Sequence, residues 1–285
     1  MKKNILVTGA TGLLGPYLVK FMDTFGSVFS SGKTNGNFPC NLANISDTKD
    51  LINKTKPDIV LHAAALTNVD LCEKNPELAL MLNVETVNNI IQILDDKVKL
   101  ILISTDQVYP NSLGPHSEEN TGPINFYGET KLLGEIAALK KSNSLILRTN
   151  FFGKSLNNKK KSLSDFFIHE FLNSKTLNLF TDIKFSPLHM ESLCIIIQEL
   201  INVSAEGIYN VGSRQGMSKA DFAMQIAHQL NLPSKKANLI KSTQFSRAPR
   251  SFDLRMDTKK IENTLGKNMP NLSDEIKKIE LRDIP

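Results

Sequence analysis

The 285-residue sequence has no tryptophan, and its aromatic content is 7%. An aromatic platform for stacking ligands is therefore not the first expectation. Cysteine is also scarce. Cys40, Cys72 and Cys194 are far apart and odd in number, which argues against a disulfide framework and against metal-type spacing. That usage fits a reducing compartment. No segment approaches the about 20 apolar residues of a membrane span. The start, Met1-Lys2-Lys3-Asn4 before Ile5 to Gly9, holds an apolar run too short for a signal peptide. A cytoplasmic protein without membrane contact is expected. No continuous basic face is visible, so no nucleic-acid footprint is read. His169, His189 and His228 have no ligand-like neighbours, and His62 at a strand end reads as structural or cofactor-lining. No protein metal site is expected.

What is present is a packed-core composition, 41% hydrophobic, with a formal net charge of +5. The surplus is scattered except for Lys159 to Lys161, which reads as a solvated loop. A mild positive balance suits an anionic small molecule. Short apolar runs alternate with helical patterns. Ile5 to Thr8, Val28-Phe29, Ile59 to His62, Lys99 to Ser104 and Leu145 to Arg148 read as strands. Gly15 to Phe25, Pro76 to Asp95 and Tyr127 to Leu139 read as helices. This alternation predicts an α/β fold with a parallel sheet covered on both faces. The second half is less regular. It predicts helices over Leu163 to Leu172, Met190 to Val203 and from the Ser218 N-cap to about Leu230, a strand over Gly207 to Val211, and a last helix near Thr258.

The first strand leads into Thr8-Gly9-Ala10-Thr11-Gly12-Leu13-Leu14-Gly15. Glycines at this spacing permit a tight turn, close approach of a phosphate, and close helix packing. The helix N-terminus then offers free N–H groups to a pyrophosphate. Gly9, Thr11, Gly12, Leu13 and Leu14 are the candidate cradle of a dinucleotide. After the second strand comes Phe29-Ser30-Ser31-Gly32-Lys33, with no acid to hold ribose hydroxyls. Ser31 and Lys33 suit a 2′-phosphate, so NADP(H) is favoured over NAD(H), which the segment also admits. Lys33 reads equally as an exposed loop lysine.

Tyr127 and Lys131 are four apart and share a helix face. A nearby cation favours a phenolate and lowers the phenol's pKa. Such a tyrosine can give a proton to an alkoxide as hydride reaches a carbonyl. Thr105, at the end of a strand, would hold the carbonyl oxygen. Thr105, Tyr127 and Lys131 are the candidate catalytic set.

With Ser104-Thr105-Asp106-Gln107-Val108-Tyr109, Pro123 to Lys131, Gly134-Glu135 and His62 to Asp70 alongside the glycine turn, the chain resembles the extended short-chain dehydrogenases, specifically the dTDP-4-dehydrorhamnose reductase branch. The resemblance is dense to about Gly153. It implies a Rossmann-type, doubly wound sheet over residues 1–150. It also implies a smaller nucleotide-sugar lobe in 151–285, with some segments returning to the first domain. Ala63, Ala64, Ala65, Asn41, Leu42 and Asn83 would join Tyr127 and Lys131 around the cofactor. Thr67, Asp106, Val108, Asn150 and Phe151 would face substrate, within a stretch Arg148 to Phe152 bordering both ligands. A nucleotide sugar brings a diphosphate, which the guanidinium forks of Arg247, Arg250 and Arg255 would suit; a solvated basic loop reads equally well there.

Two departures stand out. Asn41-Leu42 replaces the branch's Asp-Leu, and Ile183 to Leu188 lacks its polar second-half motif. Related dehydratases carry Asp-Glu after the catalytic Thr; Asp106-Gln107 here leaves simple reduction. The expectation is an NAD(P)H-dependent reductase of a 4-keto-6-deoxy nucleotide sugar, with a homodimer a fair guess. A cofactor-binding regulatory subunit without turnover, and a nucleotide-sugar epimerase, remain the alternatives.

Overall fold

The strand β1 (Lys3–Thr8) lies between β2 (Gly26–Ser31) and β3 (Ile59–His62). Beyond β3 follow β4 (Lys99–Thr105), β5 (Ser144–Thr149) and an edge strand, Gly207–Val211. All five pairings are parallel. The computed structural model describes residues 2–157, 160–173, 176–242 and 248–280.

The apolar runs form strands because both sheet faces are covered. Ile5, Val7, Ile59, Leu61, Ile101, Ile103, Leu145 and Leu147 belong to one core, packed with α1 (Gly15–Met22) and the helix Met190–Asn202. Leu6, Val60, Leu100, Leu102 and Ile146 belong to the opposite core, with Leu51, Ile52, Val87 and Ile90. The strict alternation is the period-2 geometry of a strand buried on each side. A third core in the second half gathers Phe152, Phe167, Phe185 and Phe222, where the Phe222 ring meets Phe152 at 4.9 Å and Phe185 at 5.2 Å, both edge-on.

Further helices of the first half are α2 (Ile45–Thr55), α3 (Val69–Lys74), α4 (Pro76–Leu80), α5 (Thr86–Ile93) and α6 (Phe126–Ala138). The long helix expected from Pro76 to Asp95 is divided: a π-helical segment, Met81–Glu85, joins α4 to α5. Helix α2 had no counterpart in the sequence reading. Its N-cap Asn44 accepts hydrogen bonds from the N–H groups of Ser46 and Asp47. Among the described residues, no helix is long and apolar enough to cross a membrane.

Strand order reverses at β1, with β2 on one side and β3 on the other. A crevice therefore opens at the carboxyl ends of these strands. The paired strand ends there are Thr8 with His62 and Thr105 with Thr149.

Candidate active site

The glycine turn closes over the end of β3. Gly9 has φ +69°, and a Cβ there would stand 2.6 Å from the Ala63 carbonyl carbon and the Ala64 nitrogen. Only glycine tolerates both conditions. Gly15 starts α1 against the same turn, where a Cβ would lie 2.4 Å from Gly9 O. At Gly12 an added Cβ would meet only Gly9 O, at 3.0 Å, so this is the bare point of the cradle.

Two adjoining cavities meet at the turn. The larger, about 540 Å³, is bordered by Gly9, Gly12, Leu13, Leu14, Ala63, Ala65, Thr67, Thr105, Asp106, Tyr127, Lys131, Asn150, Phe151 and Arg250. The smaller, about 210 Å³, is bordered by Thr11, Ser31, Lys33, Asn41, Leu42, Ala63, Ala64 and Ala65, with Gly9 and Gly12 shared. The structure thus brings together almost every residue expected at the site. Gln107, Lys160, Lys161, Ile183, Lys219, Ser251 and Leu254 line the larger cavity without having been expected. Gln107 could have been inferred as the neighbour of Asp106. Lys219 carries no signal beyond following the Ser218 cap.

Four expectations need correction. Val108 lines neither cavity; it is wholly buried in the second-half core, where its apolar side chain finds its neighbours. Asn83 also lines neither. Its Oδ1 accepts from Leu66 N at 2.8 Å, and its Nδ2 donates to Leu66 O at 3.1 Å and Thr130 Oγ1 at 3.0 Å. It acts on the cavity only by fixing the loop after β3 onto α6. Arg148 is 1% exposed and turned to a buried network, while Asn150 and Phe151 do border the cavity. Arg247 lies outside the described residues. Arg255 forms an ion pair with Asp253 at 2.6 Å and does not border the cavities.

Helix α6 is placed by its cap. Asn125 Oδ1 accepts from Gly128 N at 2.8 Å, while its Nδ2 donates to Gln107 Oε1 at 3.2 Å and Pro249 O at 3.0 Å. One side chain therefore ties α6 to the end of β4 and to the segment bearing Arg250. Lys131 Nζ donates to Ile103 O at 2.8 Å. Burial draws Lys131 down to about 8, with Glu135 opposing.

The phenol of Tyr127 departs from expectation in the other direction. Burial holds it above its ordinary value, Asp106 and Cys72 add to the rise, and the Thr105 hydroxyl opposes it. The Lys131 ammonium donates to the Ile103 carbonyl. The hydroxyl therefore keeps its proton, the state a proton donor requires. Asp106 is 1% exposed and also raised, chiefly by burial. Its carboxylate accepts from Asn150 Nδ2 at 2.7 Å and from Thr105 Oγ1 at 3.2 Å. Burial draws Lys219 down to about 8, Arg250 in the same sense, and Asp106 opposes.

The residues around the smaller cavity fit a dinucleotide. Ser31 Oγ is buried and has no hydrogen-bond partner among the described residues. Such a hydroxyl is costly unless a ligand completes it. No Asp or Glu borders this cavity, whereas Lys33 and Lys160 do. Among the described residues no cluster of three or more His, Cys, Asp or Glu is placed to hold a metal.

A family model described as RmlD substrate binding domain matches residues 1–282. The chain is 29% identical to methionine adenosyltransferase 2 subunit beta of Xenopus laevis, over 94% of this chain and 84% of that protein. It is 28% identical to the probable low-salt glycan biosynthesis reductase Agl14 of Haloferax volcanii, over 96% of each. The solved structure of dTDP-4-dehydrorhamnose reductase from Bacillus anthracis in complex with NADP superposes with a TM-score of 0.90 at 25% identity, covering 98% of this chain and 99% of that one.

Proposed function

Because the chain belongs to the RmlD substrate-binding domain family, we propose that it is an NADP(H)-dependent reductase of a 4-keto-6-deoxy nucleotide sugar, serving deoxysugar and polysaccharide synthesis. The observation that carries this reading is the larger cavity itself: Gly9 and Gly12 of the turn and Thr105, Tyr127 and Lys131 border one space. A nicotinamide cofactor bound there supplies hydride. Thr105 orients the carbonyl oxygen by a hydrogen bond. Tyr127, which keeps its proton through burial, passes that proton to the oxygen as charge develops on it. Lys131, its ammonium fixed at the end of β4, binds the nicotinamide ribose. Ser31, Lys33 and Lys160 support NADP(H) over NAD(H), since two ammoniums and a free hydroxyl suit a 2′-phosphate.

The test is a panel of nucleotide-linked 4-keto sugars with NADPH and NADH, read as absorbance at 340 nm. Oxidation of NADPH by at least one dTDP- or UDP-linked ketone is the expected result. No oxidation with any member would remove the assignment.

The likeness to a protein named as the beta subunit of methionine adenosyltransferase 2 favours a second reading, a cofactor-binding subunit without turnover. Retention of Thr105, Tyr127 and Lys131 around one cavity supports the enzyme instead. Co-purification with a partner enzyme, together with NADPH binding and no oxidation, would select the second reading.

A further inference from the structure

Arg250 and Ser251 border the larger cavity, yet they come from a stretch of the second half, residues 248–252, that has no helix or strand of its own. Pro249 has no N–H to give to a ladder. First-half groups hold the stretch instead. Asp70 Oδ1 of α3 accepts from Ala248 N at 3.2 Å, and Asn125 Nδ2 donates to Pro249 O at 3.0 Å. Ser251 Oγ donates to Pro110 O at 2.9 Å, and Asn111 Oδ1 accepts from Phe252 N at 3.0 Å. The ion pair of Asp70 with Arg250, at 3.6 Å and partly exposed on both sides, adds little.

Asn125 differs from the other holders in what it reaches. It is 5% exposed and does not itself border the cavity. Its Oδ1 accepts from Gly128 N in the first turn of α6, one residue after Tyr127. Its Nδ2 meets Gln107 Oε1 at 3.2 Å as well as Pro249 O. One amide thus joins three parts of the cavity wall: Gln107 beyond β4, the helix start with Tyr127, and the stretch with Arg250. An N–H on one side and two oxygens on the other call for an acceptor and a donor on separate arms. A carboxamide has both; a carboxylate has no donor, and a hydroxyl has a single oxygen for both tasks. Capping alone would be served as well by Asp or Ser. The cap therefore does not account for Nδ2.

We propose that Asn125 is a positioning residue for ketone reduction: through Nδ2 it fixes the stretch bearing Arg250 and Ser251 at a set distance from Tyr127, and so sets the width of the cavity that receives the substrate. This rests on the reductase reading above and deepens it. Asn125 acts through its neighbours rather than on the reacting atoms.

The experiment uses the full chain saturated with NADPH and two variants that keep a cap acceptor, Asn125→Ser and Asn125→Asp. Hydrogen exchange read by mass spectrometry comes first, without sugar. Peptides covering 248–252 should exchange roughly threefold to tenfold faster than in wild type, the span of one neutral hydrogen bond, while those of α6 stay within about twofold. Steady-state reduction of a dTDP- or UDP-linked 4-keto sugar that wild type turns over comes second. The KM for the sugar should rise by roughly threefold or more, with kcat and the Kd for NADPH within about threefold. A residue that served only the helix would do the reverse, lowering kcat and leaving KM. Asp70→Ala, which frees the other end of the held dipeptide with Asn125 intact, should raise the same KM. Unchanged exchange over 248–252, a fall in kcat without a rise in KM, or an unchanged KM in Asp70→Ala each overturns the proposal. An NADPH Kd within about threefold identifies a folded variant, and either Ser or Asp suffices. Loss of NADPH binding in both would show that Asn125 serves the fold as a whole and would overturn the proposal too. Wild-type protein that reduces no ketone overturns the reductase reading and this role with it; the exchange result, which needs no sugar, tells that failure from a failure of the tie.

Discussion

Glu135 of α6 and Arg148 of β5 form an ion pair sealed from solvent, with Arg148 Nη2 2.7 Å from Glu135 Oε2. Arg148 Nε approaches both carboxylate oxygens at 3.1 Å, and Ser104 of β4 donates to the same carboxylate. The guanidinium also donates to Glu118 O at 2.5 Å and to the Tyr109 hydroxyl at 3.3 Å. Helix α6 is thus pinned to the two strands whose ends carry Thr105 and Asn150. Arg148→Met leaves a carboxylate buried without its partner. It should lower stability by roughly 3–5 kcal/mol, measured by urea unfolding followed by circular dichroism. A loss below about 1 kcal/mol would show that the pair is not holding the helix.

On the proposed mechanism, Tyr127→Phe removes the proton donor and little else, since the ring is buried among Cys72, Ala79 and Leu66. The rate of ketone reduction should fall by roughly 10²–10⁴, the usual weight of a general acid. NADPH affinity, read by fluorescence titration, should stay within about threefold, because the lost group is a single neutral hydroxyl. Near-normal turnover would remove Tyr127 from the mechanism.

Cofactor choice should respond to Lys33. It is exposed and borders the smaller cavity with Ser31. Lys33→Glu replaces the proposed 2′-phosphate partner by a like charge and should raise the KM for NADPH by roughly tenfold or more, leaving NADH little changed. Equal effects on the two cofactors would place the 2′-phosphate elsewhere.

His62 makes stability depend on acid. Burial, with Lys131 adding to it, holds the ring down to about 3 from an ordinary 6.5, and Nδ1 lies 2.7 Å from Thr8 Oγ1. Above pH 6.5 the ring is neutral in both folded and unfolded chains, and its contribution is fully present. Below that, the unfolded chain takes up a proton that the folded one refuses, so stability drains away as pH falls toward 3. The full effect is at most about 5 kcal/mol, the 3.5-unit difference converted at about 1.4 kcal/mol each. His62→Gln should flatten the unfolding free energy between pH 6.5 and 4 relative to wild type. Parallel curves would show that the ring titrates normally.

The site was legible where chemistry and chain position coincide. The glycine turn follows an apolar strand directly, and Thr105 ends another, so both could be placed from local pattern. The helix Leu163–Leu172 and the strand Gly207–Val211 have the bounds expected. What escaped depends on tertiary packing. Helix α2 presents few apolar residues, and its buried face includes Thr48 and Thr55, so periodicity hides it. The π segment adds no distinctive residue, yet it is what brings Asn83 to both Leu66 and Thr130. The phenol's behaviour is not legible in the sequence, because spacing on a helix reports only that two side chains share a face. It does not report whether the ammonium points at the hydroxyl or at the Ile103 carbonyl, nor how much water burial removes.

The edge strand Gly207–Val211 completes a sheet whose other strands all precede residue 150. It brings with it the cover supplied by the helix Met190–Asn202. During synthesis the nucleotide-binding half must therefore wait, with the rim of β5 uncapped and one flank covered by α1 alone, until some sixty further residues have left the ribosome. A chain cut after the fifth strand should clump rather than fold.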